Sequence, residues 1–272
     1  MRAYRDQFDL VGFDHEMLDL ENENEINQTI GGLDFDVLIN AAAFTNVDRC
    51  QTERHRAFAI NATAPRILAE ICRDKNAKLI HFSTDYVFDG EKREPYAEDD
   101  AAKPISVYGE SKREGEKSVL ETQDRHLVVR VSWVFGPDRP SFIDAIIRRA
   151  CEEEHVDAVA DKLSAPTYAH DIAEVLPHAF DIEGGILHFA NAGECSWQQY
   201  GQLAIDCARS VGVPIKAKTV EPVKMADMKN WVARRPVYSV LSAAKFTRLS
   251  GTSPRTWREA VNDYIRRSYS KK

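Results

Sequence analysis

An α/β fold built around a parallel sheet is the fold class that this sequence predicts, and three observations support it. Short apolar runs alternate with helical patterns through the first half of the chain, which is typical of repeated β-α-β units. Several of these runs end in small or polar residues, as expected where ligands bind at the carboxyl ends of parallel strands. The 272 residues, of which 43% are hydrophobic, provide for one large core or two smaller ones.

Strands and helices follow in a regular order along the first half. The pattern predicts strands over residues 8–13, 36–40, 78–83 and 126–131, with helices between them over residues 23–30, 54–72 and 107–121. Phe58, Ile67 and Ile71 recur at helical spacing within the longest of the early helices. Right-handed crossovers between successive strands would then build one doubly wound sheet.

The second half has a different pattern, in which prolines interrupt the chain frequently. Here we expect helices over residues 142–151, 197–211 and 254–268, and a late strand over residues 186–189. This change in pattern indicates a second, smaller structural part that begins near residue 140.

Composition excludes several classes of function. The net charge is −7 with a pI near 5.7, and no basic patch is concentrated anywhere, so nucleic-acid binding is not expected. The apolar runs have the length of strands, which argues against a membrane-spanning helix. Five scattered cysteines fit free thiols in the cytoplasm, and the eight histidines show no ligand spacing, so we expect no metal.

One strand end and the helix that follows it carry residues suited to acid–base chemistry. Ser83, Thr84 and Asp85 come directly after an apolar strand. Tyr108 and Lys112 are four residues apart, so their phenol and ammonium groups lie on one face of a helix. A nearby cation favours the phenolate, and we therefore expect the pKa of Tyr108 to be lowered. With a hydroxyl from Thr84 or Ser83 to hold a carbonyl oxygen, these groups would reduce a ketone or oxidise an alcohol.

A series of motifs keeps one order and spacing along nearly the whole chain. They are Asn-Ala-Ala-Ala at 40–43, Ser-Thr-Asp-Tyr-Val-Phe-Asp-Gly at 83–90, Arg-Val-Ser-Trp-Val-Phe-Gly at 130–136 and Arg-Pro-Val-Tyr-Ser-Val-Leu at 235–241. In these stretches the chain resembles the extended short-chain dehydrogenase/reductase family, and within it the dTDP-4-dehydrorhamnose reductases. The resemblance implies a Rossmann-like sheet, NADPH or NADH as cofactor, and reduction of the C4 ketone of a nucleotide-activated deoxy sugar.

The same resemblance implies a role for individual residues. Tyr108 would donate a proton to the carbonyl oxygen, Lys112 would tune Tyr108 and hold the nicotinamide ribose, and Thr84 would bind the same oxygen. The expected cofactor-binding positions are Asp19, Leu20, Ala41, Ala42, Ala43, Ser83, Tyr108 and Lys112. The expected substrate-binding positions are Thr45, Asp85 and Trp133. A nucleotide sugar is the expected partner, and a homodimer is the expected assembly.

The resemblance also implies two domains, and it shows that an expected glycine-rich motif is missing from the sequence. Residues 1–140 would form the dinucleotide-binding domain, and residues 141–272 mainly the substrate-binding domain, with residues 165–192 returning to the first sheet. Such a domain normally opens with a strand and a glycine-rich turn, but no Gly-x-x-Gly-x-x-Gly spacing occurs here, and residues 1–7 have the pattern of a helix end. Either the chain starts late or it has lost normal cofactor binding. The intact Thr84, Tyr108 and Lys112 favour a late start.

Alternative functions stay open at this level. Tyr86 stands where the similar sugar dehydratases carry a second acidic residue, so elimination of water is not expected. A nucleotide-sugar epimerase would use the same tyrosine and lysine. A non-catalytic subunit that binds a sugar nucleotide or cofactor, or that regulates another enzyme, would explain the missing glycine turn. Arg139, Ser141 and Lys162 depart from the reductase pattern, and Arg139 or Lys162 would either meet a nucleotide phosphate or lie in solvent.

Overall fold

The computed structural model describes Tyr4 and residues 6–270. Within these residues there are eleven α-helices and ten strands. The helices are α1 (Glu23–Gly31), α2 (Val47–Thr52), α3 (Arg54–Phe58), α4 (Ala64–Asp74), α5 (Val107–Thr122), α6 (Phe142–Glu152), α7 (Ala169–Val175), α8 (His178–Asp181), α9 (Trp197–Ser210), α10 (Ala244–Ser250) and α11 (Trp257–Tyr269). The strands are β1 (Val37–Asn40), β2 (Lys78–Thr84), β3 (Leu127–Val131), β4 (Val134–Phe135), β5 (Val156–Val159), β6 (Leu163–Ser164), β7 (Thr167–Tyr168), β8 (Gly185–His188), β9 (Cys195–Ser196) and β10 (Val220–Val223).

The chain folds into two compact units that alternate along the sequence. Unit 1 comprises residues 1–87, 102–130 and 173–187, and unit 2 comprises residues 88–101, 131–172 and 188–272. The early segment 88–101 belongs to unit 2 because Tyr96 pairs with the C-terminal part of the chain. Its N–H donates to Val240 O, and its carbonyl accepts from Ser242 N, both at 2.8 Å. Each unit is therefore built from three separate segments of the chain, whereas the sequence predicts a single boundary near residue 140.

A four-stranded sheet, in the order β1-β2-β3-β8, forms the centre of unit 1. β1 and β2 are parallel, with Asn40 opposite His81. α1 and α4 contribute Ile26 and Leu68 to a core that also contains Leu79 and Val128 from the sheet. The α/β fold with a parallel sheet is thus confirmed, and β2 ends next to β1 at the edge where the acid–base residues lie.

The strand expected over residues 8–13 is wrong. These residues have irregular structure, and Phe8, Val11 and Phe13 are 40%, 68% and 36% exposed. A strand is stabilised by the ladder it forms with a neighbour, and an alternating pattern cannot replace that neighbour. Phe8 instead packs edge-on against Phe180, with ring centroids 5.5 Å apart. Met1, Arg2, Ala3 and Arg5, where the end of a helix is predicted, lie outside the described residues.

The helix expected over residues 54–72 is a helical run with a π-helical interruption. Residues 59–63 form a π-helical turn between α3 and α4, and Asn61 lies fully buried within it. Such turns insert a residue into the helix and often accompany functional sites. Here the turn directs the Asn61 side chain to the loop that follows β1.

Unit 2 has a core of its own. α6, α9 and α11 bury Ile147, Ile205 and Val261 around Trp257, together with residues of the parallel pair β5–β10. Ser196 and Thr256 cap the N-termini of α9 and α11. β4, which directly follows Trp133, pairs with β7. β6 pairs with β9, and all four of these short strands belong to unit 2. None of the helices in the described part of the chain has the length and apolarity needed to cross a membrane.

Candidate functional site

The Tyr-x-x-x-Lys pair lies in the first two turns of α5. Ser106 caps this helix, because its Oγ accepts a hydrogen bond from Gly109 N at 3.3 Å. Tyr108 and Lys112 are both buried on the face of α5 that meets the end of β2. Glycine is needed between them, since a Cβ on Gly109 would lie 2.2 Å from Tyr86 O. The close approach places the Tyr86 and Tyr108 rings edge to face, 5.5 Å apart.

The end of β2 supplies the hydroxyl and carboxylate of the predicted cluster. Thr84 Oγ1 donates to Asp85 Oδ1 at 3.1 Å and accepts from Tyr86 N at 3.2 Å. The Thr84 hydroxyl is also close enough to the Tyr108 phenol to lower the pKa of that phenol. Thr84, Asp85 and Tyr108 are all buried. The structure therefore brings the three expected residues together.

The pKa of Tyr108 shifts in the direction opposite to the one predicted. Burial raises it above its usual value, the Asp85 carboxylate raises it further, and the hydrogen bond with Thr84 opposes the rise. Lys112 does not reverse this shift; its Nζ donates to Phe82 O at 2.7 Å and lies 3.3 Å from His81 Nε2. Desolvation of the phenolate outweighs the expected effect of the cation. At neutral pH Tyr108 carries its proton, as a proton donor must.

Lys112 belongs to a buried polar chain that links three elements. Burial lowers the pKa of its ammonium to about 8, although Glu116 opposes the shift. Burial and the Lys112 charge hold the pKa of His81 well below its usual value. His81 Nδ1 lies 3.1 Å from Asn40 Nδ2, and Asn40 Oδ1 accepts from Ala42 N at 3.1 Å. The sequence signal for His81 is a polar residue inside an apolar strand, which predicts a core or supporting role.

The loop after β1 presents small side chains beside this chain. Ala41, Ala42 and Thr45 are exposed and Ala43 is half-buried. Asn61 holds the loop by accepting from Phe44 N at 2.8 Å and donating to Phe44 O at 3.0 Å. Small side chains next to a rigid backbone leave room for a flat ring.

A nicotinamide cofactor is implied by the motifs, and the residues at the end of β2 fit it. Ser83 Oγ is buried and has no hydrogen-bond partner among the described residues, so it is free to bind a polar group of a ligand. Lys112 supplies a cation suited to ribose hydroxyls, and Ala41 and Ala42 supply an open surface. These residues would hold the nicotinamide and its ribose.

Asp19 and Leu20 lie in the turn before α1. Asp19 Oδ1 accepts from Glu21 N at 2.9 Å, and its carboxylate is exposed. Leu20 is half-buried against the core of unit 1. Neither residue hydrogen-bonds to Thr84, Tyr108 or Lys112 in the described part of the chain, and their expected contact with the cofactor stays a prediction.

Trp133, the aromatic residue expected to contact the sugar, lies in unit 2 with an unusual backbone. Its φ angle is +42°, which L-residues with bulky side chains rarely adopt. Its ring stacks on Tyr200 at 5.9 Å and meets Trp197 edge-on at 5.5 Å. The indole Nε1 is buried without a hydrogen-bond partner among the described residues.

Lys162 and Arg139, the two cations that depart from the reductase pattern, differ in environment. Lys162 is 0% exposed, so the alternative that it lies in solvent is wrong. Its Nζ donates to Pro236 O at 3.0 Å and to Ser239 Oγ at 3.3 Å. Arg139 is exposed.

One group of side chains on α7 has the composition of a metal site. Ligand atoms of His170, Asp171 and Glu174 lie within 4.8 Å of one another. The Asp171 carboxylate, however, already accepts from Arg255 at 2.6 and 2.9 Å and from Asn191 at 2.6 Å. These bonds assign Asp171 to an ion pair within unit 2.

Comparison with known proteins places these features in context. The family model described as RmlD substrate binding domain matches residues 1–270. A dTDP-4-dehydrorhamnose reductase from Mycolicibacterium smegmatis is 38% identical over 253 residues, covering 91% of this chain and 74% of that protein. A probable dTDP-4,6-dihydroxy-2-methyloxan-3-one 4-ketoreductase from Streptomyces antibioticus is 35% identical, covering 96% and 88%. The crystal structure of dTDP-4-dehydrorhamnose reductase from Bacillus anthracis in complex with NADP superimposes with a TM-score of 0.88 at 31% identity, covering 96% and 91%.

Proposed function

This chain belongs to the RmlD substrate binding domain family, and we propose that it reduces the C4 ketone of a dTDP-linked deoxy sugar with NADPH or NADH. The observation that carries the proposal is the burial of Thr84, Tyr108 and Lys112 where the end of β2 packs against α5. A protonated phenol near a hydroxyl, with an ammonium one helical turn further along α5, is suited to giving a proton to a ketone oxygen.

The residues of unit 1 would act in the following way. Thr84 Oγ1 would orient the carbonyl oxygen, and the Tyr108 hydroxyl would give its proton to that oxygen as negative charge develops. The ammonium of Lys112 would stabilise the phenolate that remains. NADPH supplies the hydride when it is bound. Because burial raises the pKa of Tyr108, the phenol is protonated over the physiological range and is suited to the reductive direction.

Other predicted residues would recognise the substrate and the cofactor. Asp85 would accept a hydrogen bond from a sugar hydroxyl, and Thr45 would contact the substrate from the loop after β1. Trp133 would lay its ring against the sugar, which provides contact area at low entropic cost. Ser83, with its unpartnered hydroxyl, supports binding of the cofactor.

The names of the relatives support the choice of substrate class. Reductases of two different dTDP-linked 4-keto sugars are similar to this chain over most of its length. The bound NADP in the Bacillus anthracis protein supports the phosphorylated cofactor. We place the reaction in the cytoplasm and propose a homodimer as the assembly, in line with the expectations from sequence.

An assay with dTDP-4-dehydrorhamnose tests the proposal. We expect the purified chain to consume NADPH and the sugar nucleotide in equal amounts, and to consume no NADPH when the sugar is omitted. Formation of an isomeric sugar nucleotide without net NADPH consumption would identify an epimerase. Saturable binding of NADPH and sugar nucleotide without any product would instead favour a non-catalytic subunit.

A further inference from the structure

We infer that Lys162 is a positioning residue that holds Trp133 in the orientation needed for the sugar, an inference that rests on the proposed function. Lys162 is one of the residues at which the chain departs from the reductase pattern that it resembles. Lys162 is connected to Trp133 in two ways. A chain of hydroxyl groups runs from its ammonium to Ser132, the residue before Trp133, and the ammonium itself approaches the indole ring.

The first connection is a buried hydrogen-bond chain. Lys162 Nζ donates to Ser239 Oγ at 3.3 Å, and Ser239 Oγ donates to Ser164 Oγ at 3.1 Å. Ser164 Oγ in turn shares a short hydrogen bond with Ser132 Oγ. All four residues are buried. The chain therefore runs from the ammonium to the residue that immediately precedes Trp133.

The second connection is the contact between the ammonium and the indole. Lys162 Nζ lies 5.5 Å from the centroid of the Trp133 ring. Cation–π attraction is effective within about 6 Å and becomes stronger when the cation is removed from water. Since Lys162 is fully buried, this contact restrains the ring together with Tyr200, which stacks on it.

Trp133 needs such restraint because its backbone is strained. A residue with a bulky side chain at φ +42° keeps that conformation only where its surroundings impose it. Thr167 contributes by donating from Oγ1 to Ser132 O at 2.6 Å and from N to Trp133 O at 3.3 Å. The result is an indole whose backbone and ring are both held in place.

A purely structural role would give a different kinetic signature. Replacing Lys162 removes the donor from which Pro236 O and Ser239 Oγ accept, and this costs stability whatever the role of the lysine. A lysine that positions Trp133 should in addition cause a loss of affinity for the sugar with little change in kcat.

Lys162→Met keeps the length of the side chain and removes the charge. We expect the full chain carrying this change to show a KM for dTDP-4-dehydrorhamnose raised about tenfold, equivalent to about 1.4 kcal/mol, with kcat changed less than about twofold. The Kd of dTDP, which lacks the sugar, should not change. Lys218→Met, which removes an exposed charge from the same unit, is the matched control and should leave every value unchanged.

A double-mutant cycle with Trp133→Phe separates positioning from other effects. If Lys162 acts through Trp133, Lys162→Met should raise KM in the parent chain and cause no further rise in the Trp133→Phe background. An unchanged KM, an equal rise in both backgrounds, or a weaker Kd for dTDP would overturn the inference. If Lys162→Met does not fold, Lys162→Leu, which also removes the charge and the donor, is judged by the same outcomes. A parent chain that does not reduce the sugar would refute the proposed function instead.

Discussion

Burial sets the protonation states of the two titratable residues at the centre of the site. It raises the pKa of Tyr108 and lowers the pKa of Lys112 to about 8, in each case favouring the uncharged form. Tyr108 therefore keeps its proton and can donate it. Lys112 stays a cation at neutral pH, although its pKa of about 8 lies only slightly above that pH. Both directions follow from the desolvation of a charged group.

Lys112 should make the stability of the chain depend on pH above neutrality. The pKa of its ammonium is about 8 in the folded state and 10.5 by its usual value, which applies to the unfolded chain. Between these values the unfolded state binds more protons, so the free energy of unfolding rises with pH. The full difference corresponds to roughly 3 kcal/mol.

Unfolding of the cofactor-free parent and of Lys112→Met measures this effect. We expect the parent to gain stability relative to the variant from about pH 7 to about pH 9.5, below the range in which tyrosines of the unfolded chain titrate. Circular dichroism at several pH values provides the midpoints. A difference between the two proteins that stays constant with pH would show that the Lys112 ammonium is not desolvated.

The residues of the site could be predicted from sequence where the signal is local. Thr84 and Asp85 are adjacent, and Tyr108 and Lys112 are separated by one helical turn, so their types and spacing are visible in the chain. The pKa direction of Tyr108 could not be predicted, because it depends on burial by residues distant in sequence. The burial of Lys162 depends in the same way on Pro236 and Ser239.

At the level of elements, the contact of α5 with the π-helical turn fixes the geometry of the site. A Cβ on Gly115 would lie 2.1 Å from Asn61 O, so the backbones of the two elements touch at this glycine. Asn61 also binds both the loop after β1 and Ser111 of α5, with Nδ2 3.1 Å from Ser111 Oγ. Any shift of α5 would therefore move Tyr108 and the loop together.

Gly115→Ala should force these elements apart. We expect the change to lower the free energy of unfolding by about 1–3 kcal/mol, as is usual when a tightly packed site is overfilled. The rate of NADPH consumption should fall as well, because Tyr108 moves with α5. Denaturant unfolding and the reductase assay measure the two effects.

Gly31→Ala is the matched control for this change. Gly31 lies at the end of α1, and a Cβ there would meet nothing within 4 Å. This variant should be as stable as the parent and equally active. A Gly115→Ala variant that behaved like Gly31→Ala would show that the two backbones are not in close contact.

The limits of prediction at this level have physical causes. The helices and strands with strong periodicity, such as α5 and β2, are confirmed within one or two residues. The π-helical turn was not foreseen because it is stabilised by the tertiary contacts of Asn61, which periodicity does not report. Residues 8–13 have an alternating pattern but pair with no strand in the described part of the chain.

For the molecule as a whole, repeated β-α-β units in the sequence were sufficient to predict the fold class. The interleaving of the two units was not predictable, because it depends on pairing between distant segments. Tyr96 and Leu241, for example, form a parallel β-bridge, and no local sequence pattern predicts this pairing. The same long-range pairing assigns residues 88–101 to the unit that contains Trp133 and Lys162.

The central claim is that hydride passes from the cofactor to the sugar while Tyr108 supplies the proton. The most direct measurement uses NADPH deuterated at both C4 positions of the nicotinamide, dTDP-4-dehydrorhamnose and the full chain, with mass spectrometry of the sugar product. The product should carry a single deuterium at C4, and Tyr108→Phe should form no product although its circular dichroism spectrum matches that of the parent. A product without deuterium, or turnover retained in Tyr108→Phe, would contradict the proposed reaction.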